Sequence, residues 1–266
     1  MSNEYRVRDK MRRWHRGAPL WVSYATVLAV LAIWEAVSRS GLVSSLFLPA
    51  PSQIGGALVF MAVSGELMTN VMASLYRIFW GFLLGGSLGL LVGLSTGISA
   101  LLDRMGTPLV NALYPIPKIA LLPLFILWLG IGEVSKVTII ALGVFFPIAI
   151  NTYAGVKNTD PLLLKVAASF NAGRMLVLKS IVLPQALPLI FAGFRLAAGT
   201  SLLLLVAAEM IAAEEGLGAL ILHYGDLMIT SNLMAGVVVL SLLGLLFNSF
   251  FRWLERRTIR WNHRDM

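Results

Sequence analysis

Residues 81–97 read GFLLGGSLGLLVGLSTG, with glycines at Gly81, Gly85, Gly89, Gly93 and Gly97 and Gly86 beside them. Steps of four keep residues on one slowly drifting helix face, so this stretch predicts an apolar helix with one face stripped of side chains. In lipid, where burying a leucine gains little, such a face lets a second helix backbone approach closely. It fits a helix that slides against a neighbour and, more simply, one packed statically against it. Extended to its apolar limits, the stretch predicts a membrane span from about Ser74 to Gly97.

The whole chain has the same character. Its 266 residues are 58% hydrophobic and 13% charged, against about 45–50% and about 25% for soluble domains. A chain this size still exposes much of its surface, and mean hydropathy is +0.82, so lipid is its main solvent. Disorder needs the opposite composition. At about 20 residues per helical span, an all-α polytopic domain of roughly six spans fits residues 19–253. A basic N-terminal segment, 1–18, precedes it and a basic tail, 254–266, follows. The absence of cysteine excludes disulfides, thiol catalysis and thiolate metal sites.

The first span is expected from Pro19 to about Val37, carrying Trp21, Tyr24 and Trp34, ring types enriched at membrane interfaces. No small-residue cleavage signal follows, so it reads as a retained helix. Leu48-Pro49-Ala50-Pro51-Ser52 predicts an extended turn, with Ser52 capping a short surface helix from Gln53 to about Ala62. Span three, about Pro108 to Leu129, is broken by Pro115, Pro117 and Pro123; a broken helix at membrane depth must be buried in protein or line a cavity. Span four is about Val137 to Val156, with a kink expected at Pro147. A polar insert, 157–183, precedes span five, Pro184 or Pro188 to about Ala213. Span six is Leu233 to Phe251.

Charge placement sets the orientation. With the N-terminus cytoplasmic, the inside segments hold Arg6, Arg8, Lys10, Arg12, Arg13 and Arg16, then Arg104, then Lys157, Lys165, Arg174 and Lys179, then Arg252, Arg256, Arg257, Arg260 and Arg264: sixteen of the twenty-one Lys and Arg. Arg39, Arg77 and Lys136 fall outside, with Glu66, Glu133, Glu214, Glu215 and Asp226. This is the positive-inside bias. The net charge of +8 is therefore a topology signal beside anionic headgroups, and a nucleic-acid partner is excluded.

Catalytic motifs are missing. Without a Gly-Lys dipeptide there is no phosphate-binding loop, and no Gly-x-Ser-x-Gly nucleophile turn occurs. His15, His223 and His263 lie scattered over both sides with no metal spacing. The expectation is a non-enzyme with no metal and no cofactor of its own.

Ionisable residues at depth are costly and are functional candidates by default. Arg195 lies eleven residues past Pro184, where it would attract an anion, pair with a carboxylate or bind backbone carbonyls. Lys118 follows Pro115 and Pro117; it would face a translocation pathway or hold carbonyls freed by the break. Glu209, near the outer end of span five, would gate entry or, more simply, pair with a neighbouring helix. Glu35, beside Trp34, reads as a satisfied interface residue.

The insert is the most distinctive segment. Asp160-Pro161 is a strong helix start, a capping carboxylate before proline at the first position. Leu162, Leu163, Val166, Ala167 and Phe170 recur at helical spacing, with Lys165 on another face. Asn171-Ala172-Gly173 breaks the pattern, and Arg174–Ile181 reads as a second short helix ending before Leu183-Pro184. A helix–turn–helix with an apolar and a basic side suits docking to a soluble partner, or resting on headgroups.

This insert resembles the cytoplasmic loop of binding-protein-dependent ABC importer permeases, E-A-A-x3-G-x9-I-x-L-P. Anchored on Ile181, Leu183 and Pro184, the E-A-A falls on Lys165, Val166 and Ala167 and the glycine on Asn171, with Gly173 two residues on. Over nearly its full length the chain is similar to the nitrate/sulfonate/taurine type. The matching stretches are Leu48-Pro49-Ala50-Pro51, Tyr114-Pro115-Ile116-Pro117 with Pro123-Leu124, and Trp128-Leu129-Gly130-Ile131-Gly132-Glu133 with Ser135-Lys136. They continue with Leu183-Pro184-Gln185-Ala186-Leu187-Pro188, Gly193-x-Arg195, Ala208-Glu209-Met210 and Gly216-Leu217-Gly218.

The resemblance implies a type I ABC importer permease (MetI-like) fold in a bacterial inner membrane, dimerising with itself. It implies two cytoplasmic ATPase subunits, carrying ATP and Mg, docked on the 160–182 loop, and an extracytoplasmic binding protein that delivers a small solute. A sulfonate such as taurine ranks ahead of nitrate or bicarbonate, and relatives also carry neutral pyrimidine-type vitamin precursors. The competing class is an ion-gradient-driven secondary transporter, but such folds pair broken helices in two halves. Here one span is multiply broken, and no Asp or Glu lies mid-membrane.

Overall fold

The computed structural model describes residues 20–259, and every regular element in them is helical. The basic residues at 6–16, Pro19, His15, Arg260, His263 and Arg264 lie outside the described residues. Helix α1 (Leu20–Arg39) has 20 residues, about 30 Å at 1.5 Å per residue and the thickness of a hydrocarbon core. Its Val27, Leu28, Val30 and Ile33 are exposed, as a lipid-facing surface requires. Its end is tied down: Ser38 donates to the Leu48 carbonyl at 2.8 Å, and Glu35 accepts from the Ser52 amide and hydroxyl.

Helix α2 (Pro51–Val63) is the short helix expected after the Pro-x-Pro turn, but Ser52 is not its cap. Ala50 holds that position, with Pro51 in the first turn and the Gln53 side chain accepting from the Ala50 amide at 3.0 Å. The Ser52 hydroxyl is drawn instead to Glu35, 2.7 Å away, since an ionised carboxylate is the stronger acceptor.

Helix α3 (Glu66–Ile98) runs 33 residues, starting at a left-handed Gly65 (φ 82°), two turns before the expected Ser74. Arg77 is therefore three turns inside the helix and 3% exposed. Ser99 interrupts the chain and caps α4 (Ala100–Leu113), its side chain accepting from the Leu102 amide. Helix α4 passes through Pro108, where a helix start was expected. The break comes at 114–117; a 3-10 turn (Lys118–Leu121) leads into α5 (Leu122–Leu129), and the two arms are bent by 88°. Pro123 sits in the first turn of α5, where its missing N–H costs nothing.

Helix α6 (Glu133–Lys157) continues through Pro147. The carbonyl that this proline leaves without a donor belongs to Gly143, and the Thr200 hydroxyl supplies one at 3.3 Å. Helices α7 (Pro161–Ser169) and α8 (Arg174–Val177) form the insert. Contrary to the sequence reading, α8 does not stop before Pro184. A π turn over Leu178–Val182 joins it to α9 (Leu183–Ala212), and the wider turn makes room for the proline ring. The result is one helical path of 39 residues, Arg174–Ala212, about 58 Å long. Helix α10 (Leu217–Asp226), which sequence periodicity did not single out, precedes α11 (Thr230–Thr258). The latter overruns the expected end at Phe251 by about two turns.

Four of these helical paths are long and apolar enough to cross a membrane: Glu66–Ile98, Glu133–Lys157, Arg174–Ala212 and Thr230–Thr258. The bent α4–α5 pair makes a fifth. Helix α6 is their centre, burying Ile139, Ile140, Val144 and Ile148 against Ile78 of α3 and Ala197, Leu205 and Ala208 of α9. A second cluster joins α2, α10 and α11 through Ile54, Met61, Leu220, Tyr224 and Ala235.

The glycine stripe faces α6 along its length. A Cβ on Gly85 would lie 2.1 Å from the Ala141 carbonyl oxygen and one on Gly93 2.6 Å from that of Ala149. Gly81, Gly89 and Gly97 meet Ile140, Ile148 and Val156. At Gly85, Gly89 and Gly93 the nearest atom is a backbone carbonyl oxygen, an approach that only glycine permits.

Candidate functional site

Three sets of side chains carry the chemistry, one at each end of the bundle and one at mid-depth. The first is the insert. Asp160 caps α7, its carboxylate accepting from the Leu162 amide at 2.8 Å, and Pro161 fills the first turn. The Gln185 side chain accepts from the Asp160 amide at 2.8 Å, fastening the loop to the base of α9. Ala167 is the buried anchor of α7. Leu162, Val166 and Phe170, spaced by four, form an exposed apolar stripe continued by Met175 and Leu176, with Phe170 82% exposed. Lys165, Arg174 and Lys179 are exposed around it. Gly173 is the N-cap of α8, and Leu183 and Pro184 open α9.

The turn between α7 and α8 explains the departure at Asn171. The Asn171 and Ala172 amides donate to the Ala168 and Ala167 carbonyls at 2.9 and 3.0 Å, and Asn171 has φ 53°. This is the left-handed helix terminus that favours glycine, with asparagine as its best substitute.

The second set is a buried ion network at the opposite end. Arg77 donates to Glu209 at 2.7 Å, to Glu133 at 2.7 and 2.8 Å, and to the Glu215 carbonyl at 2.6 Å. Glu209, fully buried, also accepts from the Ser74 hydroxyl and the Gly218 amide, both at 2.8 Å. Lys136 bonds Glu133 at 2.7 Å. Asn70 and Ser74 accept from the Gly216 and Leu217 amides, and Tyr224 donates to Glu66 at 2.9 Å. Gly216 (φ 127°) lies so close that a Cβ there would meet Glu209 and Arg77 within 2.5 Å. Glu209 thus pairs α9 with the neighbouring α3. Sequence reasoning missed Arg77; the available signal was an arginine four residues before the glycine face, in phase with it.

The third set is mid-depth. Arg195 pairs with Glu255 of α11. Lys118, in the elbow after Pro115 and Pro117, donates to the Tyr114 carbonyl and lies over the rings of Tyr114 and Phe146, 4.8 and 4.6 Å from their centroids. Lys118, Arg195 and Glu209 share no partner, so the structure does not bring these three pathway candidates into one cluster. Nearer the insert, Lys157 bonds Asp103 at 2.8 Å, joining the end of α6 to α4. Among the described residues no group of three or more His, Asp or Glu could hold a metal ion.

Residues 85–260 match the family described as the binding-protein-dependent transport system inner membrane component. The chain belongs to this family. As a permease it is a component of a binding-protein-dependent ABC importer, a multi-pass membrane protein that is not itself an ATPase, in a family that carries no cofactor. Its partners are an ATPase and a binding protein. The permease is 37% identical over 263 residues, 98% of this chain and 94% of the relative, to a putative aliphatic sulfonates transport permease of Bacillus subtilis. It is 34% identical to the taurine transport permease of Escherichia coli, over 94% of this chain and 93% of that one. Among solved structures it is similar to the inward-facing MetNI methionine ABC transporter, with TM-score 0.57 and 21% identity over 75% of this chain and 97% of that one. An amino acid ABC transporter gives TM-score 0.58 and 15% identity over 75% and 97%. The resemblance read from the sequence holds, and the secondary-transporter alternative falls.

Proposed function

We propose that two copies of this permease form the pathway for a small organic anion of the sulfonate class, taurine included. The anion is delivered by an extracytoplasmic binding protein and moved by two ATPase subunits docked on residues 160–182. The observation that carries the coupling role is the 39-residue helical path from Arg174 to Ala212. It starts at the exposed apolar stripe and carries Glu209 of the buried ion network in its last turn, so the insert and the far end of the bundle share one helical path. The substrate class rests on the two relatives aligned over nearly the whole chain.

In this reading six spans cross an inner membrane: α1, α3, the bent α4–α5 pair, α6, α8–α9 and α11. Both termini are cytoplasmic, following the basic residues. The Asp103–Lys157 bond and the insert then share the inner side, and the Arg77 network lies at the outer side. Two experiments test the proposal. A thermal-shift screen of the partner binding protein is expected to select alkanesulfonates and taurine over nitrate, bicarbonate and neutral pyrimidines; selection of one of those instead overturns the substrate class. Deleting 162–179 is expected to abolish ATPase association while membrane insertion persists; normal association after deletion overturns the docking role.

A further inference from the structure

Among the described residues, every Lys or Arg that is at least partly buried has an acidic partner except one. Arg77 is shared by Glu133 and Glu209, Lys136 bonds Glu133, Lys157 bonds Asp103 and Arg195 pairs with Glu255. Among the described residues Lys118 forms no ion pair; its recorded contacts are the Tyr114 carbonyl and two aromatic faces. Its depth is fixed by Phe146, which lies about 20 Å along α6 from Glu133 and roughly 16 Å from Lys157. A charge held at mid-membrane faces the protein interior or a water-filled cavity and takes a partner there. Lys118 is only half-buried and Tyr114 is 50% exposed, so the elbow reaches the surface of the chain. An ammonium carries three N–H donors and accepts nothing. One of the three is used by the carbonyl, which leaves two for an incoming anion.

We propose that the elbow around Lys118 binds the sulfonate group of the transported molecule during passage. The ammonium of Lys118 donates to two sulfonate oxygens, and the rings of Tyr114 and Phe146 wall the alkyl portion. This inference rests on the sulfonate reading above. It separates Lys118 from Arg195 and Glu209, whose charges are already neutralised within the fold. The 88° bend between α4 and α5 then has a reason: it turns backbone carbonyls and a lysine toward a point that a straight helix would fill with side chains.

The test uses the complete complex, permease with its ATPase and binding protein, in proteoliposomes supplied with ethanesulfonate. Uptake by the unaltered complex tests the sulfonate reading by itself. Given that uptake, Lys118→Met is expected to reduce it about tenfold or more, the value of one hydrogen bond to a charged group. Lys118→Arg, which keeps the charge, is expected to recover most of it, and Arg104→Gln, an exposed charge change on α4, to leave it unchanged. Equal uptake by the Met variant overturns the proposal and leaves the sulfonate reading standing. A second measurement needs no variant. Ethanesulfonate, and not ethyl methyl sulfone, is expected to slow modification of Lys118 by a small amine-reactive reagent, read by mass spectrometry. Equal labelling with and without ethanesulfonate overturns the proposal even where the Met variant fails to assemble.

Discussion

Arg77 and Glu209, 132 positions apart in sequence, meet at 2.7 Å with side chains 4% and 0% exposed. The bond ties α3 to α9, and the other edge of the same guanidinium ties α3 to α6 through Glu133. A second bond, Lys157 to Asp103, closes the far end of α6. The glycine face seats α3 on α6 along its length, and the Arg77–Glu133 bond fastens the same two helices.

The two carboxylates on Arg77 are predicted to differ in weight. Glu209→Ala leaves a buried guanidinium short of its partner and is expected to cost about 3–5 kcal/mol. Glu133 is 45% exposed, and Glu133→Gln is expected to cost less than about 1 kcal/mol. Thermal unfolding of the purified permease in mild detergent ranks them; an equal fall in Tm contradicts the burial argument.

The glycine face predicts a position-specific effect. Gly85→Ala drives a methyl into the Ala141 carbonyl and is expected to destabilise by about 1–3 kcal/mol through forced separation of α3 and α6. Gly199→Ala, with nothing within 4 Å, is expected to be neutral or slightly stabilising. Tm measurements on the two variants check this, and a harmless Gly85→Ala removes the close-packing account.

The turn at Asn171 predicts that its conformation matters more than its amide. Asn171→Gly is expected to keep ATPase association, while Asn171→Val is expected to lose about 1–2 kcal/mol of loop stability in a left-handed position. Co-purification with the ATPase separates them. Undiminished association for the Val variant would show that the turn does not shape the dock.

Much of this was legible beforehand, and the failures have physical causes. The glycine series, the proline-broken span and the Asp160-Pro161 start follow from local rules that the fold obeys. The role of Arg77 is not legible in the sequence because its partners come from α6 and α9, and a long-range ion pair leaves no local trace. The first turns of α3 carry Asn70, Ser74 and Arg77 toward the protein, a polar stripe that resembles a loop in a hydropathy reading. Pro184 was read as a helix boundary because nothing in the sequence announces the π turn that absorbs it. Lys118 was legible as a candidate, but its difference from Arg195 emerged only once Glu255 was seen beside the arginine.

The central claim is that ATPase subunits drive transport through the insert. It is tested most directly by ethanesulfonate uptake into proteoliposomes holding the permease and its ATPase, with the binding protein outside and ATP inside. The account predicts accumulation that requires both ATP and binding protein, and its loss when Phe170→Asp places a charge on the exposed stripe. Accumulation that persists without ATP under an ion gradient, or that is untouched by Phe170→Asp, contradicts it.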